Sequence, residues 1–166
     1  ELPLIDFQQP VARTTESLPF TFIYDGEISD NILGGWEYKK TSRKLNADRT
    51  KVTQVYTDPK TGMQLRWEMI KYGDFPTLEW TLYFKNTGKA DSPILENIRS
   101  LDYTWNDSGN DFLLHHAVGS PCQPADYRPL LSSLGKGTTK CIAAAGGRPT
   151  NSDLSYFNLD MSGRGV

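Results

Sequence analysis

The alternation of side chains between Met63 and Asn86 limits what this chain can become more than any other feature. Leu65, Trp67 and Met69 interleave with Gln64, Arg66 and Glu68. Beyond a break at Tyr72-Gly73-Asp74, Leu78, Trp80, Leu82 and Phe84 interleave with Glu79, Thr81, Tyr83 and Lys85. A strand sends successive side chains to opposite faces, so each run has one apolar face and one polar face. Large aromatics favour such half-buried, pleated surfaces. The pattern predicts two neighbouring strands and requires further strands to cover their apolar side.

Those further strands are legible along the chain. Residues 1–19 read as an extended lead-in with weak periodicity. Phe20, Phe22 and Tyr24 alternate up to the turn pair Asp25-Gly26. The segment from Trp36 to Leu45 starts apolar and turns cationic, as suits an edge strand guarded against foreign pairing. Lys51 to Thr57 is another strand, and Asp58-Pro59-Lys60-Thr61-Gly62 should reverse the chain into Met63. Ile94 to Trp105 changes phase, which predicts a bulge.

Phe112, Leu114, His116 and Val118 share one side of a later strand. Gly119 to Gly137 reads as a long irregular stretch, followed by strands over Thr138–Ala145 and Leu154–Asp160. Apolar spacing of helical period is not sustained over three turns. Many short strands with frequent turns, and no alternating helices, predict an all-β antiparallel sandwich over residues 20–166, with a closed barrel as the alternative.

Composition narrows the function. Of 166 residues, 37% are hydrophobic and 23% charged, enough for a packed core. The net charge of −2 is spread evenly. Without a basic field or polybasic run, neither nucleic acid nor membrane is an expected partner. The start at Glu1 without methionine leans towards an extracytoplasmic chain freed of a leader, although excision from a longer polypeptide explains it equally. Asn106-Asp107-Ser108 matches a glycosylation sequon. Cys122 and Cys141 can form a disulfide or remain two thiols, and two cysteines do not make a framework.

The search for chemistry turns up little. His115 and His116 face opposite ways on a strand, one inward and one outward, so they do not readily share a metal. No motif calls for a cofactor or a metal. Glu68 and Glu79 are carboxylates on adjacent strands, and glycosidases use two carboxyls about 5 to 10 Å apart. Both sit on a polar face among Lys and Arg. Asp126, beside Tyr127 and Arg128, suits either a polyol contact or an ion pair that closes its loop. The stretch from Leu114 to Leu130, LHHAVGSPCQPADYRPL, is long and rich in functional residue types, as binding loops often are.

Four segments together resemble a known family: Tyr24-Asp25-Gly26 followed by Trp36; Tyr56 to Asp102; the loop HHAVGSPCQPADYRPL; and Gly146 to Val166. The chain is similar, from about Pro19 onwards, to the N-terminal domain of α-galactosidase-like enzymes of glycoside hydrolase family 36. That resemblance implies a large β-sandwich, or supersandwich, packed on a (β/α)8 catalytic barrel expected after Val166. The implied reaction is retaining hydrolysis of terminal α-galactosides. Its catalytic aspartates would belong to the barrel, so this chain would hold no catalytic residue.

By position, the resemblance assigns the sugar-pocket loop to Gly119, Ser120 and Cys122, with Asp126 and Tyr127 behind it. His116 and Arg148 are further substrate-facing candidates. Some relatives carry a tryptophan just before the matching Pro-Cys pair; here glycine or serine stands there. Two other functional classes fit a β-sandwich: an independent carbohydrate-binding module with tryptophans as its platform, or a protein-interaction domain.

Overall fold

The computed structural model describes residues 18–103, 112–161 and 164–165. The lead-in to residue 17, Trp105 and the sequon at Asn106 lie outside the described residues. The chain is all-β, in three antiparallel sheets. It divides into two compact units between residues 104 and 105. Each is taken by itself.

In the first unit, β1 (Thr21–Tyr24) leads through β2 (Glu27–Ile28) into a one-turn helix α1 (Ser29–Ile32) and a 3-10 turn, Leu33–Gly35. Four strands then run back and forth: β3 (Glu37–Lys44), β4 (Arg49–Thr57), β5 (Met63–Tyr72) and β6 (Leu78–Asn86). They pair in that order, with β3 and β6 at the edges. A fifth, β7 (Leu95–Arg99), returns to β1, giving a second sheet ordered β2-β1-β7.

Register follows from the alternation. Trp67 pairs with Gln54 on one side and Leu82 on the other, and Leu65 lies between Tyr56 and Phe84. Leu65, Trp67 and Met69 are almost wholly buried, as are Phe20 and Phe22 from β1 and its lead-in. Ring contacts join the two sheets: Phe20 meets Trp67 edge-on at 5.1 Å, and Phe22 meets Phe84 at 5.1 Å. Tyr24 adds an edge contact to Trp36 at 5.6 Å. Each such burial contributes about 1.5–3 kcal/mol, and each ring pair about 0.5–1.5 kcal/mol more.

The turns show why their residues are there. Asp58 accepts bonds from Lys60 N (3.0 Å) and Thr61 Oγ1 (2.6 Å), and its own N–H reaches Met63 O at 2.8 Å. Gly62 takes a left-handed φ of +78°, and a Cβ there would come within 2.7 Å of Gly88 N. The Thr87 N–H and hydroxyl both donate to Gly62 O, at 2.9 and 2.6 Å. The β4–β5 hairpin turn therefore interlocks with the start of the connection leaving β6, at adjoining glycines.

The phase change in the seventh strand is a bulge. Thr21 pairs with Arg99 and Ile23 with Glu96, so β7 spends one more residue than β1 over that interval. Asn97 absorbs the excess with a φ of 48°. Asparagine tolerates that region better than most residues.

In the second unit, β8 (Phe112–Ala117) is central to the order β11-β10-β8-β9. Here β9 is Pro129–Leu134, β10 is Asn158–Met161 and β11 is Arg164–Gly165. Two expectations are corrected. The stretch from Gly119 to Gly137 is not irregular throughout, because β9 pairs with β8 along its whole length. Conversely, Thr138–Ala145 is no strand: within it only Ala144 forms a bridge, to Ser152. The last predicted strand begins later than Leu154, at Asn158.

Candidate functional site

The loop between β8 and β9 holds most of the residues singled out from sequence. Its entrance is fixed by backbone bonds to a strap at residues 150–153. Gly119 N donates to Ser152 O at 2.9 Å and Ser120 N to Thr150 O at 2.6 Å, while Val118 bridges Asp153. A Cβ on Gly119 would overlap the Thr150 carbonyl oxygen. Glycine is required there by that close approach. At the exit, Tyr127 N donates to Gly119 O at 3.2 Å and Val118 N to Arg128 O at 3.0 Å.

Asp126 closes the loop from within. Its Oδ2 accepts the Ser120 hydroxyl at 2.7 Å and Cys122 N at 3.2 Å, and its Oδ1 accepts Gln123 N at 2.9 Å. Those donors favour the carboxylate. The Gln123 amide and then the Ser120 hydroxyl do most to hold its pKa below the ordinary value, against a small opposing effect of burial. Of the two sequence readings of Asp126, loop closure fits, but through hydrogen bonds rather than an ion pair.

Two of the exposed side chains of the closed loop stand on left-handed backbone. Cys122 (φ 69°) and Tyr127 (φ 60°) both hold left-handed backbone, which is uncommon for bulky residues. Cys122 is exposed, and Tyr127 is 57% exposed. Cys122 and Cys141 are both free thiols, so no disulfide joins them.

Arg148 lies in an adjoining turn. Ala145 N and Arg148 N bond to Asn151 O (3.1 Å) and Ala145 O (3.3 Å), and Asn151 lies within the strap that holds Gly119. Gly119, Ser120, Cys122, Asp126 and Tyr127 thus form one loop, with Arg148 on a turn tied to the same strap. His116 stands apart. It is buried on β8 with Nε2 3.0 Å from Ser132 Oγ, and its Nδ1 has no partner among the described residues. Its neighbour His115 is exposed, so the pair faces opposite ways.

Sequence reasoning missed the strap itself. Asn151-Ser152-Asp153 are turn-forming residues after Pro149, which is the signal that marks it. It also missed Ser132, which reaches His116 only because β9 exists.

The carboxylates on the first unit's outer sheet face are engaged differently. Glu68 takes ion pairs from Lys51 at 2.9 Å and Arg66 at 3.4 Å. Glu79 lines the same shallow groove of about 320 Å³, with Ile70, Thr81 and Tyr83. Arg66 also covers the Tyr83 ring, 4.4 Å from its centroid, so that ring face is taken. Among the described residues no three His, Cys, Asp or Glu side chains gather as a metal set. No helix there is long and apolar enough to cross a membrane.

Searches of protein-family models, curated proteins and solved structures find no match to this chain.

Proposed function

We propose that this chain is the non-catalytic N-terminal domain, of supersandwich type, of an α-galactosidase-like retaining glycoside hydrolase resembling family 36. In this reading it packs on a catalytic barrel that follows it and lends the Gly119–Tyr127 loop to the pocket for the terminal sugar. The observation that carries the reading is that loop. Asp126 and the strap hold it closed, and it displays Tyr127 and Cys122 at backbone angles that cost energy to maintain.

The roles follow from chemistry. Tyr127 offers a ring for the apolar face of a sugar and a hydroxyl for its polar edge. Arg148 supplies donors for ring hydroxyls from the neighbouring turn. Asp126 acts as a positioning residue, because all three donors named above already occupy its carboxylate. The buried His116 supports β8 from behind.

The carbohydrate-binding-module reading needs an exposed tryptophan platform. Trp67 is 2% and Trp36 9% exposed, and Trp80 packs against the same core. That leaves the tryptophans of the first unit in core roles.

The test is Tyr127→Ala in the polypeptide continued past Val166, assayed on 4-nitrophenyl α-D-galactoside. A contact to bound sugar raises KM, and a contact made only in the transition state lowers kcat. Kinetics unchanged in both parameters would remove the loop from the pocket.

A further inference from the structure

Strand β6 is a sheet edge of nine residues that, among the described residues, is paired only by β5. Proteins usually defend such an edge with several charges, a proline or a bulge. β6 carries no proline, keeps regular register with β5 from Met63 to Lys71, and alternates cleanly. Its outward side chains are Glu79, Thr81, Tyr83 and Lys85, all exposed. Its inward ones are Leu78, Trp80, Leu82 and Phe84, all only partly buried against the core.

The charges are placed symmetrically about Leu82. If a second copy pairs antiparallel with this edge around a two-fold axis at Leu82, Glu79 falls opposite Lys85 of the second copy, and Lys85 opposite its Glu79. Thr81 meets Tyr83, and Trp80 meets Phe84 on the apolar side. Shifting the register by two residues either way puts Glu79 opposite Tyr83 or Thr87 and loses both charge pairs. Neither Glu79 nor Lys85 has an ion pair within the chain among the described residues.

The opposite edge of the same sheet behaves differently. β3 carries Lys39, Lys40, Arg43 and Lys44. Self-pairing centred on Thr41 or Ser42 sets cations against cations, which is destabilising, and centring on Lys40 sets that lysine against itself between two Glu37–Arg43 pairs. The β6 pattern brings its two charge pairs together with no like charges opposed.

We infer that this chain forms a two-fold dimer through β6, joining two four-stranded sheets into one continuous eight-stranded sheet with Glu79–Lys85 pairs at both ends of the seam. The self-complementary charge pattern commits the edge to a second copy of the chain. Main-chain bonds supply the affinity, and the two charge pairs fix the register.

Sedimentation velocity on the 166-residue chain, across roughly two decades of concentration, tests this. The unmodified chain should dimerise. Lys85→Glu should weaken the dimer by roughly tenfold or more, since it replaces two attractive cross-strand pairs with two repulsive ones. The double swap Glu79→Lys with Lys85→Glu should restore it. Both positions are exposed, and circular dichroism on each variant confirms that the fold persists. A chain that stays monomeric throughout, a dimer indifferent to Lys85→Glu, or a double swap that fails to restore association would each overturn the proposal.

Discussion

The hydroxyl of Ser120 and the carboxylate of Asp126 meet at 2.7 Å across the β8–β9 loop, and that contact sets what the loop can display. Gln123 and Cys122 add their amides to the same carboxylate. Because the three donors favour the ionised form, the folded pKa lies below the ordinary 3.8. The group's stabilising contribution is therefore complete above the unfolded value and is lost as pH falls through the lower folded one. Amide shifts of Gln123 and Cys122, followed by NMR, should titrate together with a midpoint under 3.8. A midpoint at or above it would mean the carboxylate does not close the loop.

The Gly119 position makes a sharper demand. Gly119→Ala places a methyl on the Thr150 carbonyl. Overpacking of this kind costs typically about 1–3 kcal/mol. Gly34 faces open space, so Gly34→Ala should stay within about 0.5 kcal/mol of the parent. Urea unfolding of the two variants side by side gives the comparison, and equal midpoints would contradict the strap contact.

Trp67 anchors the first unit. It is 2% exposed and meets Phe20 edge-on. Trp67→Ala should destabilise that unit by about 3–5 kcal/mol, as large core truncations do. Denaturation followed by far-ultraviolet circular dichroism measures the loss. A change under about 1 kcal/mol would place the indole outside the core.

Both cysteines are exposed thiols. Titration of the native protein with a thiol-specific chromogenic reagent should release two equivalents per chain without denaturant or reductant, matching the two cysteines of the sequence. Fewer than two would indicate a bridge or a buried thiol.

Much of the first unit was legible because its signals agree with one another. The alternation in β5 and β6, the Asp-Pro-Lys-Thr-Gly reversal and the cationic edge strand all point to one meander, and the register confirms it. The bulge at Asn97 showed as a break in phase. The inward and outward histidines followed from strand period alone.

The second unit was harder to read, for identifiable reasons. Pro121, Pro124 and Pro129 made the whole stretch look irregular. Yet Pro129 is the first residue of an edge strand, where proline is tolerated, and Leu130, Ser132 and Leu134 alternate after it. Thr138–Ala145 has strand-like residues but, among the described residues, lacks a partner strand, and propensity without pairing does not make a sheet. Asp126 beside Arg128 suggested an ion pair. Nearer backbone amides won instead, a competition that residue types do not reveal. Nor does anything in Cys122 or Tyr127 announce a left-handed backbone.

The central claim is that this β scaffold is the sugar-shaping, non-catalytic part of an α-galactosidase-like enzyme. The most direct measurement compares residues 1–166 alone with the same polypeptide continued past Val166, both assayed on 4-nitrophenyl α-D-galactoside. The account predicts no turnover by the first and retaining hydrolysis by the second. Turnover by residues 1–166 alone, or none by the longer polypeptide, would contradict it.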